Sequence, residues 1–257
     1  MLMKTTGNTI LITGGGSGIG RALAEAFHKL GNQVIIAARG RKSLDETIAA
    51  NPGMKSVTLD VSDPKSIQSF AAQVTKDFPT LNVVINNAGI MKPENLLEAP
   101  NYLSDAEAIV TTNLLGPIRL TAALLPSLRK QPRATIMTVS SGLAFVPLAM
   151  TPTYCATKAA IHSYTQSLRY QLKATKVEVI ELIPPYVQTT LMGDQQAKDP
   201  NAMPLNEFID EVMSILKSQP DVKEVCVKKV YPLRFAAEGG QEKYEAFFNQ
   251  FNAAMHK

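Results

Sequence analysis

Short apolar runs alternate along this chain with longer segments in which apolar residues recur every three or four positions. The short runs predict seven buried strands, at 9–13, 33–38, 56–59, 83–86, 135–139, 177–183 and 224–227. Four longer segments carry an apolar stripe at helical spacing: Ala22, Leu23, Ala26, Phe27 and Leu30; Ile67, Phe70, Ala71 and Val74; Ala160, Tyr164, Leu168 and Leu172; and Leu205, Phe208, Ile209, Val212 and Leu216. Strands that alternate with helices are typical of a parallel sheet covered by helices, so the pattern predicts an α/β fold.

The alternation runs through the chain without a linker or an internal repeat. We therefore expect one domain over residues 1–257, a length that one large α/β domain can fill. The stretch 189–204 differs because it is polar and contains Gly193, yet it also has Leu191 and Met192. We interpret it as a mobile loop over a pocket; the alternative is an ordinary surface connection.

The bulk composition is that of an ordinary globular protein. Apolar residues make up 45% of the chain and charged residues 19%, and the formal net charge is +4. The basic residues are scattered, apart from short clusters at 39–42 and 228–229, and no basic stripe is interleaved with aromatic residues. A solvated surface is therefore favoured over a nucleic-acid interface.

Cysteine and histidine usage gives no sign of a disulfide framework or a metal centre. Cys155 and Cys226 form no C-x-x-C motif, which indicates reduced thiols and a cytoplasmic location. His28, His162 and His256 lack the spacing of metal ligands, and no carboxylate cluster accompanies them. The chain begins without the apolar core of a signal peptide, and no run approaches about 18 apolar residues, so we expect no membrane span.

A glycine-rich turn follows the first predicted strand and opens the first predicted helix. Gly14, Gly18 and Gly20 permit a tight turn, and Ser17 and Ile19 lie between them. Backbone N–H groups at the helix N-terminus can then approach a pyrophosphate closely. The position of the turn between an apolar strand and a helix predicts a dinucleotide site.

The end of the second predicted strand indicates which dinucleotide is bound. A cofactor with a free ribose 2′-hydroxyl is usually held by an acidic residue near this point. Here Ala38 and Arg39 occupy it, with Arg41 and Lys42 close by. Because a guanidinium pairs bidentately with a 2′-phosphate and stacks on adenine, we predict NADP(H) over NAD(H). The alternative is an ordinary exposed basic turn.

Two further strand ends carry residues that suit a dinucleotide. Asp60 and Val61 follow the third predicted strand and are expected to contact adenine through a carboxylate and the backbone. Asn87, Ala88 and Gly89 follow the fourth predicted strand. Buried amides there can tie adjacent strands together, so we expect a structural role and a cofactor-lining role in the same residues.

Tyr154 and Lys158 are four positions apart, which is one helical turn, so they share a face. Lowering the pKa of a tyrosine from about 10 to near 7 requires about 4 kcal/mol. A unit charge at about 5 Å, in an effective dielectric of about 20, supplies roughly 3 kcal/mol. A bound oxidised nicotinamide, itself cationic, could supply much of the rest. Together with the glycine turn and with Ser141 thirteen residues before Tyr154, the pair predicts a tyrosine that acts as an acid or base near neutral pH.

In this order and spacing, the motifs resemble those of the short-chain dehydrogenase/reductases, in the compact subgroup of about this length. The resemblance runs from about residue 9 to residue 190 and consists of the glycine turn, Asp60-Val61, Asn86-Asn87-Ala88-Gly89, Asn113, Ser141, Tyr154, Lys158 and the stretch from Pro184 to Thr189. It implies a doubly wound, Rossmann-type sheet of about seven parallel strands. It also implies NAD(P)-dependent interconversion of a carbonyl and an alcohol.

The resemblance assigns roles to the predicted site residues. Tyr154 passes a proton to or from the substrate oxygen, Ser141 orients that oxygen, and Lys158 holds the nicotinamide ribose. Asn113 supports a water that relays protons from Lys158. Independently of the resemblance, Pro117 has no N–H, so the Asn113 carbonyl lacks its normal helical partner. We hypothesise that Pro117 exposes this carbonyl to the water.

The chain departs from the family pattern near the sixth strand and in its tail. Pro184-Pro185 replaces the usual Pro-Gly, so the cofactor contacts that the resemblance implies for Pro184, Val187 and Thr189 are less closely matched. The C-terminal segment 228–257 does not resemble the ending of many tetrameric relatives. We expect its aromatic stripe in the core or in a subunit contact: Tyr244, Phe247, Phe248 and Phe251. A homodimer through the helices that hold Asn113 and Tyr154 is expected from the resemblance.

The predicted substrate pocket is apolar and suits a medium-sized hydrophobic ketone or secondary alcohol. Its predicted lining is Leu143, Phe145, Met150, Tyr186 and Met192. A protein of another class, a nucleotide-sensing or interaction module that retains the fold, is the alternative. The complete set of catalytic candidates disfavours it, because binding alone requires neither Ser141 nor Tyr154.

Overall fold

A computed structural model describes residues 3–255 and shows a sheet of seven parallel strands flanked by helices. The strands are β1 (Thr9–Thr13), β2 (Gln33–Ala38), β3 (Lys55–Thr58), β4 (Leu81–Asn86), β5 (Ala134–Val139), β6 (Val177–Ile183) and β7 (Glu224–Cys226). Their order is β3-β2-β1-β4-β5-β6-β7, and every neighbouring pair is parallel. The predicted Rossmann-type fold and the seven strands are confirmed, but the prediction that all seven are buried was wrong for β3, whose residues at the edge of the sheet are exposed or half-buried.

Ten α-helices are found within the described residues. They are α1 (Gly18–Lys29), α2 (Arg41–Ala50), α3 (Pro64–Asp77), α4 (Leu103–Val110), α5 (Gly116–Leu128), α6 (Pro152–Leu172), α7 (Asp194–Lys198), α8 (Leu205–Ser218), α9 (Tyr231–Arg234) and α10 (Gln241–Met255). The predicted apolar stripes lie on α1, α3, α6 and α8, except that Leu30 follows the end of α1 and is exposed. In α6 the buried face runs through Tyr154, Lys158 and Ile161, so Ala160 and Tyr164 of the predicted stripe are only half-buried.

Alternate side chains of the strands pack into two cores, one on each face of the sheet. In β1, Ile10 and Ile12 lie in the core covered by α1 and α8, whereas Leu11 lies in the core covered by α3, α5 and α6. Every residue of β1, β4 and β5 is buried, as expected of central parallel strands that are covered on both faces.

The strand order reverses between β1 and β4, because the chain builds β2 and β3 on one side of β1 and then crosses to the other. At such a reversal the connections leave towards opposite faces of the sheet and open a crevice at the carboxyl ends of the strands. The glycine turn follows β1 and residues 87–89 follow β4. The fold therefore brings the two predicted cofactor motifs to one crevice.

The stretch Leu103–Leu128 is long and apolar enough to cross a membrane by length and composition, with a mean hydropathy of 1.4. The sequence prediction missed it because polar residues such as Asp105 and Asn113 interrupt its apolar run. It consists of α4, a π-helical segment and α5, and Leu120 and Leu124 pack fully buried beneath the sheet. In this fold 44% of its apolar window is buried, so one side of the stretch packs in the core and the other side is open.

Segment 189–204 and the C-terminal tail both return to the crevice side of the sheet. Val187 and Met203 form an isolated parallel bridge that closes segment 189–204 into a loop around α7. The mobility of this loop stays a prediction. In the tail, α9 and α10 follow β7; the predicted domain 1–257 and segment 228–257 extend beyond the described residues, and His256 lies outside them.

Candidate active site

A cavity of about 440 Å³ opens at the crevice and brings together most of the predicted site residues. Those that line it are Gly14, Ser17, Gly18, Ile19, Gly20, Asn87, Ala88, Gly89, Ser141, Tyr154, Lys158, Pro184, Val187 and Thr189. Arg39, Asp60, Val61 and Asn113 are not among the lining residues. The glycine turn and the Ser141–Tyr154–Lys158 set therefore share one cavity.

The glycine turn is built so that only glycine fits at its key positions. Gly14 and Gly18 have φ of +68° and +51°, a region that glycine adopts without strain. A Cβ on Gly20 would lie 2.3 Å from the Gly14 carbonyl oxygen and 2.4 Å from Asn87 Nδ2. Ser17 is the N-cap of α1 but makes no side-chain capping hydrogen bond, and residues 17–20 line the cavity. The first N–H groups of this helix, which have no intrahelical acceptor, are therefore at the cavity wall.

Thr13 at the end of β1 fixes the chain that follows β4. Its hydroxyl accepts hydrogen bonds from the backbone N–H groups of Asn87 and Ala88, each at 3.0 Å. Asn87 Nδ2 in turn donates to the Thr13 carbonyl at 2.9 Å. The expected role of amides in tying these strands is therefore observed, and the same residues line the cavity.

Arg39 lies exposed just after β2, beside the acidic residue predicted to contact adenine. Arg41 and Lys42 each pair with an acidic residue one turn further along α2, whereas Arg39 has no ion pair among residues 3–255. Burial opposes ionisation of Asp60, but hydrogen bonds from Ser62 and the charge of Arg39 outweigh it and hold the pKa of the carboxyl below its ordinary value. Arg39 is thus an exposed cation that no salt bridge within residues 3–255 holds.

Asn113 lies outside the cavity lining, where its side chain clamps the chain that follows β4. Its Oδ1 accepts a hydrogen bond from the Ile90 N–H and its Nδ2 donates to the Ile90 carbonyl, both at 2.8 Å. The helix widens to π geometry at Thr111–Leu115, just before Pro117. The irregular helix that the Pro117 hypothesis requires is present; a water on the Asn113 carbonyl stays a prediction.

Ser141, Tyr154 and Lys158 converge because β5 ends before Ser141 and α6 begins at Pro152. All three are buried, with 8%, 6% and 5% of their surface exposed. Lys158 Nζ donates to the Val139 carbonyl at 2.8 Å and lies 5.5 Å from the centroid of the Tyr154 ring. This arrangement places a hydroxyl, a phenol and an amine in one buried corner of the cavity.

Burial dominates the protonation of this set, contrary to the sequence-based prediction. It raises the pKa of Tyr154 well above its ordinary value; the Ser141 hydroxyl acts in the opposite direction, and Cys155 adds to the rise. Burial also lowers the pKa of Lys158 to about 8, although the charge of Glu181 favours the ammonium. The predicted fall in the Tyr154 pKa was wrong for the protein alone, because the arithmetic contained the attraction of the ammonium but no cost of burial.

The five residues predicted to line a substrate pocket are not part of the lining of this cavity, and their contact with a substrate stays a prediction. Three of them follow Ser141 along the chain. Leu143 and Met150 pack against a small cluster that includes Tyr154. The Phe145 ring lies edge-on to His162 at 4.7 Å and under the Arg234 guanidinium at 4.6 Å. None of the three is among the residues that line the cavity.

The remaining two predicted pocket residues belong to the loop after β6. The Tyr186 hydroxyl donates to Asp199 Oδ2 at 3.1 Å, and the Met192 N–H donates to Gln196 Oε1 at 3.0 Å. Neither is among the lining residues, whereas Gln196 and Leu191 are. The loop does face the cavity, but through different side chains.

Several lining residues were not predicted. They are Ile90, Met91, Lys92, Val139, Ser140, Pro185, Thr190, Leu191 and Gln196. The apolar Ile90 and Met91 directly follow the Asn-Asn-Ala-Gly motif, which was a usable signal. Gln196 gave none, because a buried glutamine in a polar loop looks like any surface residue in sequence.

His162 lies with two carboxylates, which its sequence spacing did not indicate. Ligand atoms of His162, Glu181 and Glu224 all lie within 4.8 Å of one another. His162 Nδ1 is 2.8 Å from Glu181 Oε2, and Glu224 Oε2 pairs with Arg234 Nε at 2.7 Å. The expectation that no carboxylates accompany the histidines was therefore wrong for His162. Because each carboxylate already has a nitrogen partner, we interpret the group as a hydrogen-bonded network between the sheet and α6.

Comparison with known proteins agrees with this geometry. Residues 8–200 match the family model of the short chain dehydrogenases. The chain is 39% identical over 253 residues to Uncharacterized oxidoreductase DltE of Bacillus subtilis (strain 168), with 97% of this chain and 98% of that protein covered. It is 32% identical over 246 residues to the NADP-dependent 3-hydroxy acid dehydrogenase of Schizosaccharomyces pombe (strain 972 / ATCC 24843), with 90% and 95% covered.

A solved structure extends the comparison to three dimensions. The alcohol dehydrogenase from the archaeon Thermococcus sibiricus, complexed with 5-hydroxy-NADP, has a TM-score of 0.77 at 26% identity, covering 87% of this chain and 97% of that one. The chain therefore belongs to the short-chain dehydrogenase/reductase family of oxidoreductases.

Proposed function

We propose that this oxidoreductase interconverts a ketone or aldehyde and an alcohol with NADP(H) as cofactor. The observation that carries the proposal is that Ser141, Tyr154 and Lys158 line the same cavity as the glycine turn. One cavity thus offers a dinucleotide site and an acid–base set within reach of each other.

The cavity fits a dinucleotide on its own geometry. The glycine turn leaves no room for a Cβ at Gly20, and the uncapped N-terminus of α1 suits a pyrophosphate. We infer that residues 14–20 hold the pyrophosphate, that Lys158 holds the nicotinamide ribose, and that Val187 and Thr189 contact the nicotinamide end. When bound, NADP(H) supplies the hydride donor or acceptor of the reaction.

In this proposal the side chains of Ser141, Tyr154 and Lys158 carry out the proton transfer to and from the substrate oxygen. In reduction, Tyr154 gives its phenolic proton to the substrate oxygen, and its raised pKa keeps that proton available at neutral pH. The Ser141 hydroxyl donates a hydrogen bond to the same oxygen and orients it. In oxidation, Tyr154 must first lose its proton, and the positive charge of Lys158, 5.5 Å from the ring, favours the phenolate.

The choice of NADP(H) over NAD(H) is supported by Arg39, the exposed guanidinium after β2 that has no ion pair among the described residues. The fission-yeast relative is named as NADP-dependent, and the archaeal alcohol dehydrogenase is complexed with 5-hydroxy-NADP. NAD(H) is the weaker alternative, because no acidic residue follows β2 directly.

The lining residues support a medium-sized, mainly apolar substrate. Ile90, Met91 and Leu191 provide apolar surface in the cavity. A carboxylate-bearing alcohol is a second candidate, since the fission-yeast relative is named a 3-hydroxy acid dehydrogenase and Lys92 is a cation in the lining. Lys92 already pairs with Asp105, which favours the apolar substrate.

The test is oxidation or reduction of a panel of ketones, secondary alcohols and 3-hydroxy acids, followed by the absorbance of NADPH. With the best substrate, we expect Tyr154→Phe to lower kcat by roughly 10²–10⁴-fold, because general acid–base catalysis contributes about that much. The Kd for NADPH, measured by fluorescence, should stay within about twofold. Wild-type-like turnover in Tyr154→Phe would refute the assigned role.

The same measurement separates an enzyme from a nucleotide-sensing module. A sensor would bind NADPH but turn over no member of the panel, and Tyr154→Phe would then change nothing. We also propose a homodimer through the helical stretches that hold Asn113 and Tyr154, which light scattering would test. A cytoplasmic location is proposed from the two free thiols, Cys155 and Cys226.

A further inference from the structure

The C-terminal tail contacts the segment between Ser141 and Tyr154 at three places. The family resemblance does not extend to this tail. Near Ser141, the side chains of Val230 and Leu233 press on Gly142. A Cβ at Gly142 would lie 2.7 Å from Leu233 Cδ1 and 2.8 Å from Val230 Cγ2. The tail therefore touches the backbone at the residue next to Ser141.

A second contact lies further along the same segment. The Arg234 guanidinium sits 4.6 Å from the centroid of the Phe145 ring and is fixed by its ion pair with Glu224 of β7. Phe145 is thus held between the tail and His162 of α6. This contact links the tail to the sheet and to the helix that carries Tyr154.

The third contact is the most specific and comes from Asn252 of α10. Its Nδ2 donates to the Pro147 carbonyl at 3.1 Å, and its Oδ1 accepts from the Ala149 N–H at 2.6 Å. Asn252 is only 7% exposed, and its Nδ2 also donates to the Phe248 carbonyl of its own helix at 3.0 Å. The side-chain amide of Asn252 therefore forms hydrogen bonds with two backbone groups of the turn that precedes α6.

Phe251, the residue before Asn252, links these hydrogen bonds to the cluster that contains Tyr154. Phe251 packs against the buried cluster of Ile109, Leu148, Tyr154 and Cys155. Leu148 lies between the two backbone groups that Asn252 holds, and its N–H lies 3.2 Å from Cys155 Sγ on α6. Displacement of the turn would therefore be transmitted to the first turn of α6.

We propose that Asn252 is a positioning residue that holds the turn Pro147–Ala149 so that Tyr154 stays in register with Ser141. The expected effect of Asn252 on kcat rests on the proposed function. The expected effect of Asn252 on the conformation of Pro147–Ala149 does not. Asn252 does not line the cavity, so it acts through the segment 142–153 and not on the cofactor.

The experiment compares Asn252→Ala with Asn249→Ala, an exposed asparagine on the same helix. Hydrogen exchange of the segment 142–153 is measured by mass spectrometry, together with the Kd for NADPH and kcat on the best substrate of the panel. We expect Asn252→Ala to speed exchange in this segment and to lower kcat by roughly 10–100-fold, since misplacement by about 1 Å can cost that much. The Kd for NADPH should change less than about twofold, and Asn249→Ala should match the wild type.

Asn252→Asp provides a second variant, because it keeps the acceptor for the Ala149 N–H but sets a carboxylate oxygen against the Pro147 and Phe248 carbonyl oxygens. Its exchange in 142–153 should be at least as fast, and its kcat at least as low, as those of Asn252→Ala, with circular dichroism confirming that all variants are folded. Faster exchange confined to α10, or an unchanged kcat, would overturn the proposal and leave Asn252 as an anchor of its own helix. If the wild type turns over no panel member, the proposed function fails, while the exchange in 142–153 still decides whether Asn252 holds the turn.

Discussion

Arg39 determines, in our interpretation, which dinucleotide the protein prefers. Charge-assisted hydrogen bonds to a 2′-phosphate are worth about 1.5–3 kcal/mol, so Arg39→Ala should weaken NADPH binding by roughly 10–150-fold. NADH lacks this phosphate, and its Kd should change less than about threefold. Titration of both nucleotides by fluorescence measures the two constants. Arg41→Ala is the matched control, because Arg41 already pairs with Asp45; equal losses for NADPH and NADH in Arg39→Ala would contradict the assignment.

At the same scale, sequence spacing located the reacting groups but not their environment. Tyr154 and Lys158 share a face and a cavity as their spacing predicted. The pKa of Tyr154 moves in the opposite direction to the prediction, because spacing reports the distance between charges and not the loss of water around them. Phe145 was placed in the pocket because it follows Ser141 closely, yet its ring turns towards His162 and Arg234.

At the scale of elements, the loop 189–204 depends on one buried glutamine. Gln196 Nε2 donates to the Val187 carbonyl at 2.8 Å and to Thr189 Oγ1 at 3.1 Å, and its Oε1 accepts from Met192 N–H. Gln196→Ala removes all three bonds, so we expect faster proteolysis within the loop and a roughly 3–30-fold weaker affinity for NADPH, equivalent to about 0.5–2 kcal/mol.

Gln195→Ala, on the exposed neighbouring position, is the control for the loop. Limited proteolysis with and without NADPH tests whether the loop closes: protection by NADPH in the wild type and its loss in Gln196→Ala are expected. A loop equally resistant in both proteins would argue for the ordinary surface connection that the sequence left open.

The central strands β1, β4 and β5 were predictable because each is a short apolar run buried on both faces, a pattern visible in one dimension. The π-helical segment at Thr111–Leu115 was not, although Pro117 indicated an irregularity nearby. The contact of α10 with the turn at 147–149 was also beyond the sequence. It joins residues about a hundred positions apart through one amide, and nothing in the local pattern around Asn252 marks its partner.

At the scale of the whole molecule, the buried ammonium of Lys158 lowers the free energy of unfolding, although the proposed mechanism requires this charge. Its pKa falls from 10.5 to about 8 on folding, because burial disfavours the charge. Between these values the unfolded chain binds a proton that the folded protein does not, so this group makes the free energy of unfolding rise with pH from about 8 to 10.5. Below about pH 8 Lys158 is protonated in both the folded and the unfolded state. Burial of its charge then lowers the free energy of unfolding by the full amount, about 3 kcal/mol.

Lys158→Met should therefore stabilise the cofactor-free protein at pH 7, by up to about 3 kcal/mol less the loss of the bond to the Val139 carbonyl. The gain should shrink as the pH rises from 8 to 10, because the wild-type lysine is then neutral in the fold. Urea unfolding of both proteins at pH 7 and pH 10 measures the difference, with the exposed Lys217→Met as control. A gain that is the same at both pH values would show that the ammonium is not destabilised by burial. A gain at pH 7 alone, in a variant without turnover, would mean that the fold gives up stability to keep a charge beside Tyr154.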